Sequence, residues 1–228
     1  MPAVFLLRRC ASSLQKAQDL LTGSGMADWS VCGSAMRLRE TREALAGCAP
    51  DIIACDLSLL DGRALQLAQS LRGLPRRPQL LLLAPMADEL ALFEALRLGA
   101  NGYCIDADRG VNLLLDLRKL DAGRATMSPA IARQILDAYG LGRSSLDEAL
   151  APEASQDVTP MAHGLPRAEQ HLLSLLAHGL LGVEIAARWD MTPADVERRL
   201  WRVYPRLHRL GVCAAGHVAR AGASCGAS

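Results

Sequence analysis

The sequence predicts an α/β domain, a doubly wound (βα)5 parallel sheet, followed by a smaller all-α domain. Short apolar runs alternate with amphipathic stretches over the first 122 residues, and glycines close several of those stretches. Beyond a Gly-, Ser- and Pro-bearing segment, only helical periodicity remains.

The apolar runs Ala3 to Leu7, Trp29 to Cys32, Ile52 to Cys55, Leu80 to Leu83 and Tyr103 to Ile105 are strands, each too short for a helix. Ser13 to Leu21, Met36 to Leu45, Ala64 to Leu71, Asp88 to Leu98 and Val111 to Leu120 carry apolar residues at three- and four-residue spacing and are helices. Gly23, Gly47, Gly73 and Gly99 follow them as helix stops. Strands so continuously apolar are buried on both faces, which means a parallel sheet covered by helices. Ligands of such sheets bind beyond the C-terminal strand ends. Arg8, Arg9, Asp56, Ala84 and Asp106 fall there.

Ser128 to Leu136 opens with proline in its first turn and carries an apolar stripe, so it too is a helix. From Gly140 to Gly164 periodicity is lost, as in a linker. Pro166 to His178, Gly182 to Trp189 and Thr192 to Tyr204 are helical, and a weak fourth helix spans Ala214 to Ala221. The expected organisation is therefore a sheet domain at 1–122, a helical and flexible linker at 123–163, and a helical domain at 164–228.

Composition narrows the function classes. The 228 residues are 50% hydrophobic, enough for a core in each of two domains. A net charge of +1 leaves any nucleic-acid role to a local patch. The short apolar opening precedes its arginines, the reverse of a secretory signal, and no apolar run reaches membrane-spanning length, so a cytoplasmic protein without membrane contact is expected. Seven scattered cysteines with no Cys-x-x-Cys pair suggest neither disulfides nor zinc, and most are expected to be buried. No cofactor is expected, and with no paired nucleophile and base and no phosphate loop, neither is enzymatic activity.

Pro50-Asp51-Ile52-Ile53-Ala54-Cys55-Asp56-Leu57-Ser58-Leu59-Leu60-Asp61-Gly62 resembles the phosphoacceptor strand and loop of bacterial response-regulator receiver domains. Gly99-Ala100-Asn101-Gly102-Tyr103 is similar to the entry of their fifth strand. From Leu165 onward, Glu169, Leu172-Leu173, Leu175-Leu176-Ala177-His178-Gly179-Leu180, Glu184-Ile185-Ala186, Met191-Thr192, Val196, Leu200, Tyr204 and Leu210-Gly211-Val212 resemble the LuxR-type helix-turn-helix of the NarL/FixJ subfamily.

The resemblance marks Asp56 as the phosphoacceptor position, and its surroundings depart from the family. Two adjacent acids that hold magnesium are replaced by Arg8 and Arg9, the Thr or Ser by Ala84, and the Lys by Asp106. The family's pocket is net negative, whereas Asp56, Asp106, Arg8 and Arg9 sum to zero. Arg8 or Arg9 is expected to pair with Asp56 or Asp106 in place of metal and phosphate, the alternative being an arginine in solvent and Asp56 a relic. Strand alternation turns the two arginines to different sides. Tyr103 matches the family's switch aromatic, or is a half-buried strand tyrosine.

In the C-terminal module the resemblance implies a recognition helix from Pro193 to Tyr204, with Thr192 as its N-cap and Val196, Leu200 and Val203 buried. Thr192, Asp195, Glu197, Arg198, Arg199, Arg202 and Arg206 are then available to double-stranded DNA. Asp195 and Glu197 stand where the family has Thr and Lys, and two acids oppose a polyanion. Pro205 is expected to interrupt or bend the helix.

These features point to a DNA-binding transcriptional regulator that works independently of phosphorylation. The expected partners are a second copy of the chain and a protein on residues 88–106. The alternatives are an interaction protein or anti-activator that does not read DNA, or a conventional regulator phosphorylated at Asp56.

Overall fold

The computed structural model describes residues 1–23, 29–73, 76–84, 88–105, 111–141 and 164–221, with no side-chain description beyond residue 210. The chain divides into two compact units, one of Met1–Ala95 with Gly99–Thr126, the other of Leu96–Leu98 with Met127–Ser228.

The first unit is built on β1 (Ala3–Leu7), α1 (Ala11–Thr22), β2 (Ser30–Ala35), α2 (Leu38–Ala46) and β3 (Ile52–Asp56). A two-stranded hairpin follows, β4 (Ser58–Leu59) and β5 (Gly62–Arg63), then α3 (Ala64–Ser70), β6 (Gln79–Ala84), α4 (Glu89–Leu98), β7 (Gly102–Ile105) and α5 (Val111–Asp121). Five strands form one sheet in the order β2-β1-β3-β6-β7, every pairing parallel.

Alternation along the strands assigns the faces. Val4 and Leu6 of β1, Ile52 and Ala54 of β3, and Leu81 and Leu83 of β6 pack with Ala17 and Leu21 of α1 and with Leu113, Leu117 and Leu120 of α5. Each fully buried Val, Leu or Ile side chain among them contributes about 1.5–3 kcal/mol. Edge strand β2 differs: it runs through Gly33 and Ser34 to Ala35 and is half-exposed along most of its length. An apolar window ends it at Cys32 because those residues carry no hydrophobic signal.

The β4–β5 hairpin brings Asp61 to the start of α2, where its carboxylate accepts from the backbone N–H groups of Leu38 (2.7 Å) and Arg39 (3.1 Å). It caps the helix from a distance, because the local N-cap residue Arg37 offers no side-chain cap. Before β7 the chain turns at Gly99 with φ +129°, where a Cβ would lie 2.1 Å from Arg77 Nη2.

The second unit contains α6 (Pro129–Ala138), α7 (Arg167–Ala177), α8 (Gly182–Arg188) and α9 (Pro193–Ala221). Ser128 caps α6 by accepting from Ile131 N at 3.2 Å. Arg133 of α6 donates from Nε (2.9 Å) and Nη2 (2.6 Å) to the carbonyl of Ala177, satisfying an orphan acceptor at the end of α7. Pro205 does not interrupt the last helix, and no separate helix begins at Ala214: α9 is continuous from Pro193 to Ala221. Proline removes one hydrogen bond, but Pro205 is exposed, where water can satisfy the Trp201 carbonyl. Buried Val203, Tyr204 and Leu207 hold the helix on both sides. No helix among the described residues is long and apolar enough to cross a membrane.

Candidate functional site

The first candidate lies at the C-terminal edge of the sheet. Leu7 of β1 pairs with Cys55 of β3, so one residue further on Arg8 comes beside Asp56. Arg8 shares the parity of Val4 and Leu6, and Asp56 that of Ile52 and Ala54, so both side chains leave the sheet on one face. Arg8 Nε lies 2.9 Å from Asp56 Oδ1, and the side chains are 5% and 10% exposed. Arg9 has the opposite parity; its side chain is exposed, and its backbone N–H donates to Asp56 Oδ2 at 2.7 Å.

Asp56 therefore has one oxygen in an ion pair and the other accepting from backbone, both interactions favouring its charged form. Such an arrangement does not fit a magnesium ion. The metal needs oxygen ligands, and the nearest carboxylate already faces a buried guanidinium. Ala84, at the end of β6, is buried and carries no hydroxyl. Tyr103 sits within β7, paired with Leu82, and is also buried. Asp106 lies outside the described residues.

Three thiols lie near this edge. Burial pushes Cys55 well above the ordinary thiol range, and Cys104 is buried too. Cys10, the N-cap of α1, behaves differently: the hydroxyls of Ser12 and then Ser13 hold it down at about 7. Cys213 and Cys225 lie outside the described side chains; of the other five cysteines Cys55 and Cys104 are buried, whereas Cys10, Cys32 and Cys48 are partly exposed. Each of these three lies beside a helix end or in the edge strand, where packing is one-sided.

Elsewhere in this unit an open groove of about 340 Å³ runs between α3 and α4, lined by Leu57, Leu65, Leu90, Ala91 and charged Arg63, Asp88 and Glu94. Leu90 is 67% exposed. This groove falls within the 88–106 segment only along α4.

The second candidate is the outer face of α9. A tight turn joins α8 to α9, with Asp190 at φ +50°, a conformation that Asp tolerates better than most residues. Thr192 and Asp195 cap the helix reciprocally: Asp195 N donates to Thr192 Oγ1 (3.2 Å) and Thr192 N donates to Asp195 Oδ2 (3.3 Å), with Thr192 Oγ1 also donating to Oδ2 (2.6 Å). Hydrogen bonds from Thr192 hold the Asp195 carboxyl below its usual range, with Arg198 assisting.

Val196, Leu200, Val203, Tyr204 and Leu207 form the buried stripe of α9. The outward side chains are more engaged than their sequence suggests. Arg198 Nη1 pairs with Asp195 Oδ1. The guanidinium carbon of Arg199 lies 5.7 Å from the Trp189 ring centroid, a cation–π distance, and Trp189 meets His171 edge to face at 5.3 Å. Arg206 turns back to α7, its Nε 2.9 Å from Glu169 Oε2. Thr192 and Arg202 are exposed, and Glu197 is half-exposed. Neither Trp189 nor Glu169 drew notice as a partner of these arginines, because their separation in sequence hides the contact.

No protein-family model matches the chain. Among curated proteins it is 27% identical over 179 residues to the "DNA-binding transcriptional activator DevR/DosR" of Mycobacterium tuberculosis, covering 78% of this chain and 76% of that protein. It is also 26% identical over 170 residues to the "Nitrate/nitrite response regulator protein NarL" of Escherichia coli, covering 75% and 73%. Among solved structures it resembles a two-component response regulator of the LuxR family from Aurantimonas sp., with TM-score 0.52, 20% identity, and 60% of this chain and 96% of that one covered. In sequence the chain is thus similar to the NarL- and DevR-type response regulators, and its all-parallel five-stranded sheet has the fold of the LuxR-family regulator.

Proposed function

We propose that the chain is a DNA-binding transcriptional regulator whose receiver-like domain, residues 1–122, works independently of phosphorylation. Residues 123–163 act as a connection and residues 164–228 as the DNA-binding domain. The observation that carries this reading is the buried Arg8–Asp56 ion pair. Phosphoryl transfer to an aspartate relies on a metal and positioned charges to stabilise the transferring group. At Asp56 a guanidinium stands against the carboxylate, and Ala84 supplies no hydroxyl. Regulation then runs through abundance, dimerisation or a partner, for which residues 88–106 are the proposed face. Incubation with acetyl phosphate and magnesium, or with a beryllofluoride mimic, is the test: no labelling and no binding are expected. Magnesium-dependent labelling at Asp56 overturns the reading.

DNA binding rests on the activity of the DevR/DosR relative together with the outer α9 face bearing Thr192, Asp195, Glu197, Arg198, Arg199 and Arg202, with Arg206 at its edge turned toward Glu169. A regulator of this kind retains genomic DNA fragments with affinity that falls steeply with salt. A second reading, a partner-binding scaffold that does not read DNA, is favoured by two pairings that neutralise arginines, Asp195–Arg198 and Glu169–Arg206. Absence of retention even at low salt selects it.

A further inference from the structure

Asp195 is the place where this chain departs most informatively from the family it resembles, and its two oxygens do different things. Oδ2 accepts from Thr192 N at 3.3 Å and from Thr192 Oγ1 at 2.6 Å, closing the helix cap. Oδ1 holds Arg198 Nη1, one helical turn further on. The pair lies in the first turns of α9, half-exposed, with Arg198 55% and Asp195 40% accessible. A carboxylate needed only as a cap would have no use for the arginine, and an arginine serving only as a phosphate anchor would gain nothing from an acid beside it.

We infer that Asp195 is a positioning residue that holds Arg198 as the reader of a single guanine; this rests on the DNA-binding reading above. An arginine has five N–H donors in a planar fork. With Nη1 spent on Asp195, the Nε–Nη2 edge remains, two parallel donors that match O6 and N7 of guanine in the major groove. Residues at the start of a recognition helix are the ones that reach base edges. Holding the fork in place removes part of the ordering cost of a long side chain, so discrimination improves. The same carboxylate repels phosphate, so it lowers sequence-independent affinity. Asp195 thus raises specificity while reducing overall attraction, and the two effects have opposite signs when it is changed.

Selection of bound duplexes from a randomised pool, using the full chain, tests this with Asp195→Asn and Arg198→Lys beside the unsubstituted protein. Asn keeps an oxygen for Thr192 and so retains the cap; Lys keeps the charge and loses the fork. The expected result is a motif containing one guanine whose preference falls on the order of tenfold in both variants at the same position. Asp195→Asn should also hold or raise affinity for unrelated DNA, whereas loss of the cap alone would weaken binding to every sequence. Arg198→Lys, outside the cap, reads the same position should Asp195→Asn fold poorly. The inference is overturned if Arg198→Lys weakens all sequences equally, or if Asp195→Asn folds and leaves the guanine preference intact. A protein that enriches no motif overturns the DNA-binding reading itself, and this inference with it.

Discussion

Arg206, thirteen residues into α9, reaches Glu169 in the first turn of α7, with Nε 2.9 Å from Oε2 and side-chain exposures of 26% and 12%. Burial raises the Glu169 carboxyl above its ordinary value, and the Arg206 charge works against that rise. An acid whose folded pKa lies above its unfolded one binds more protons when folded, so stability falls as pH rises through that window. Arg206→Ala removes the opposing charge and enlarges the effect. Its destabilisation of the second unit should be small at acid pH and grow to about 1 kcal/mol near neutrality, while Glu169→Gln should remove the dependence. Urea melts between acid and neutral pH check both.

The Arg8–Asp56 pair should be costly to break from one side. Arg8→Ala takes the guanidinium away from a buried carboxylate, and a loss of about 3 kcal/mol is expected in thermal or denaturant unfolding. The double change Arg8→Met with Asp56→Leu removes both charges and should restore most of that stability. A double variant as unstable as the single one would show that the pair contributes more than mutual compensation.

Cys10 should be the most reactive of the thiols near the sheet edge. Its pKa of about 7 makes it substantially thiolate at pH 8, whereas Cys55 is buried and held protonated. Alkylation followed by site-resolved mass spectrometry should show Cys10 labelling rise through pH 7 and Cys55 remain protected in the folded protein. Ser12→Ala should shift the Cys10 profile to higher pH.

Pro205→Ala should stabilise α9. The exposed position accepts alanine without a clash, and the new N–H restores the missing hydrogen bond to Trp201. A gain of about 1 kcal/mol, read as a rise in Tm, is expected.

The five parallel strands were legible because Ile52-Ile53-Ala54-Cys55 and Leu80-Leu81-Leu82-Leu83 are apolar at every position, as doubly covered strands must be. The end of β2 was not, since Gly33 and Ser34 form strand through pairing with β1 and not through hydrophobicity. The two-residue strands of the Ser58–Arg63 hairpin fall below any periodicity. At the sheet edge, alternation separates Arg8 from Arg9, but which arginine turns inward depends on the register of β1 against β3. On α9 the buried stripe follows from spacing alone, whereas the turn of Arg206 toward Glu169, 37 residues earlier in the chain, depends on how two helices meet. The uninterrupted passage through Pro205 likewise reflects packing around it, which local propensity does not contain.

Arg133 and the apolar stripe of α6 bear on where this protein can be cut. Ile131, Ala132, Ile135 and Leu136 are buried, and Arg133 seals the end of α7. A protease that cleaves just before Gly164 releases a fragment with the whole α7–α9 region and none of α6. That fragment would carry a bare apolar strip and an uncapped helix, and would be prone to self-association. Cleavage near Thr126 leaves both intact, so the severable module begins well upstream of its recognisable motif.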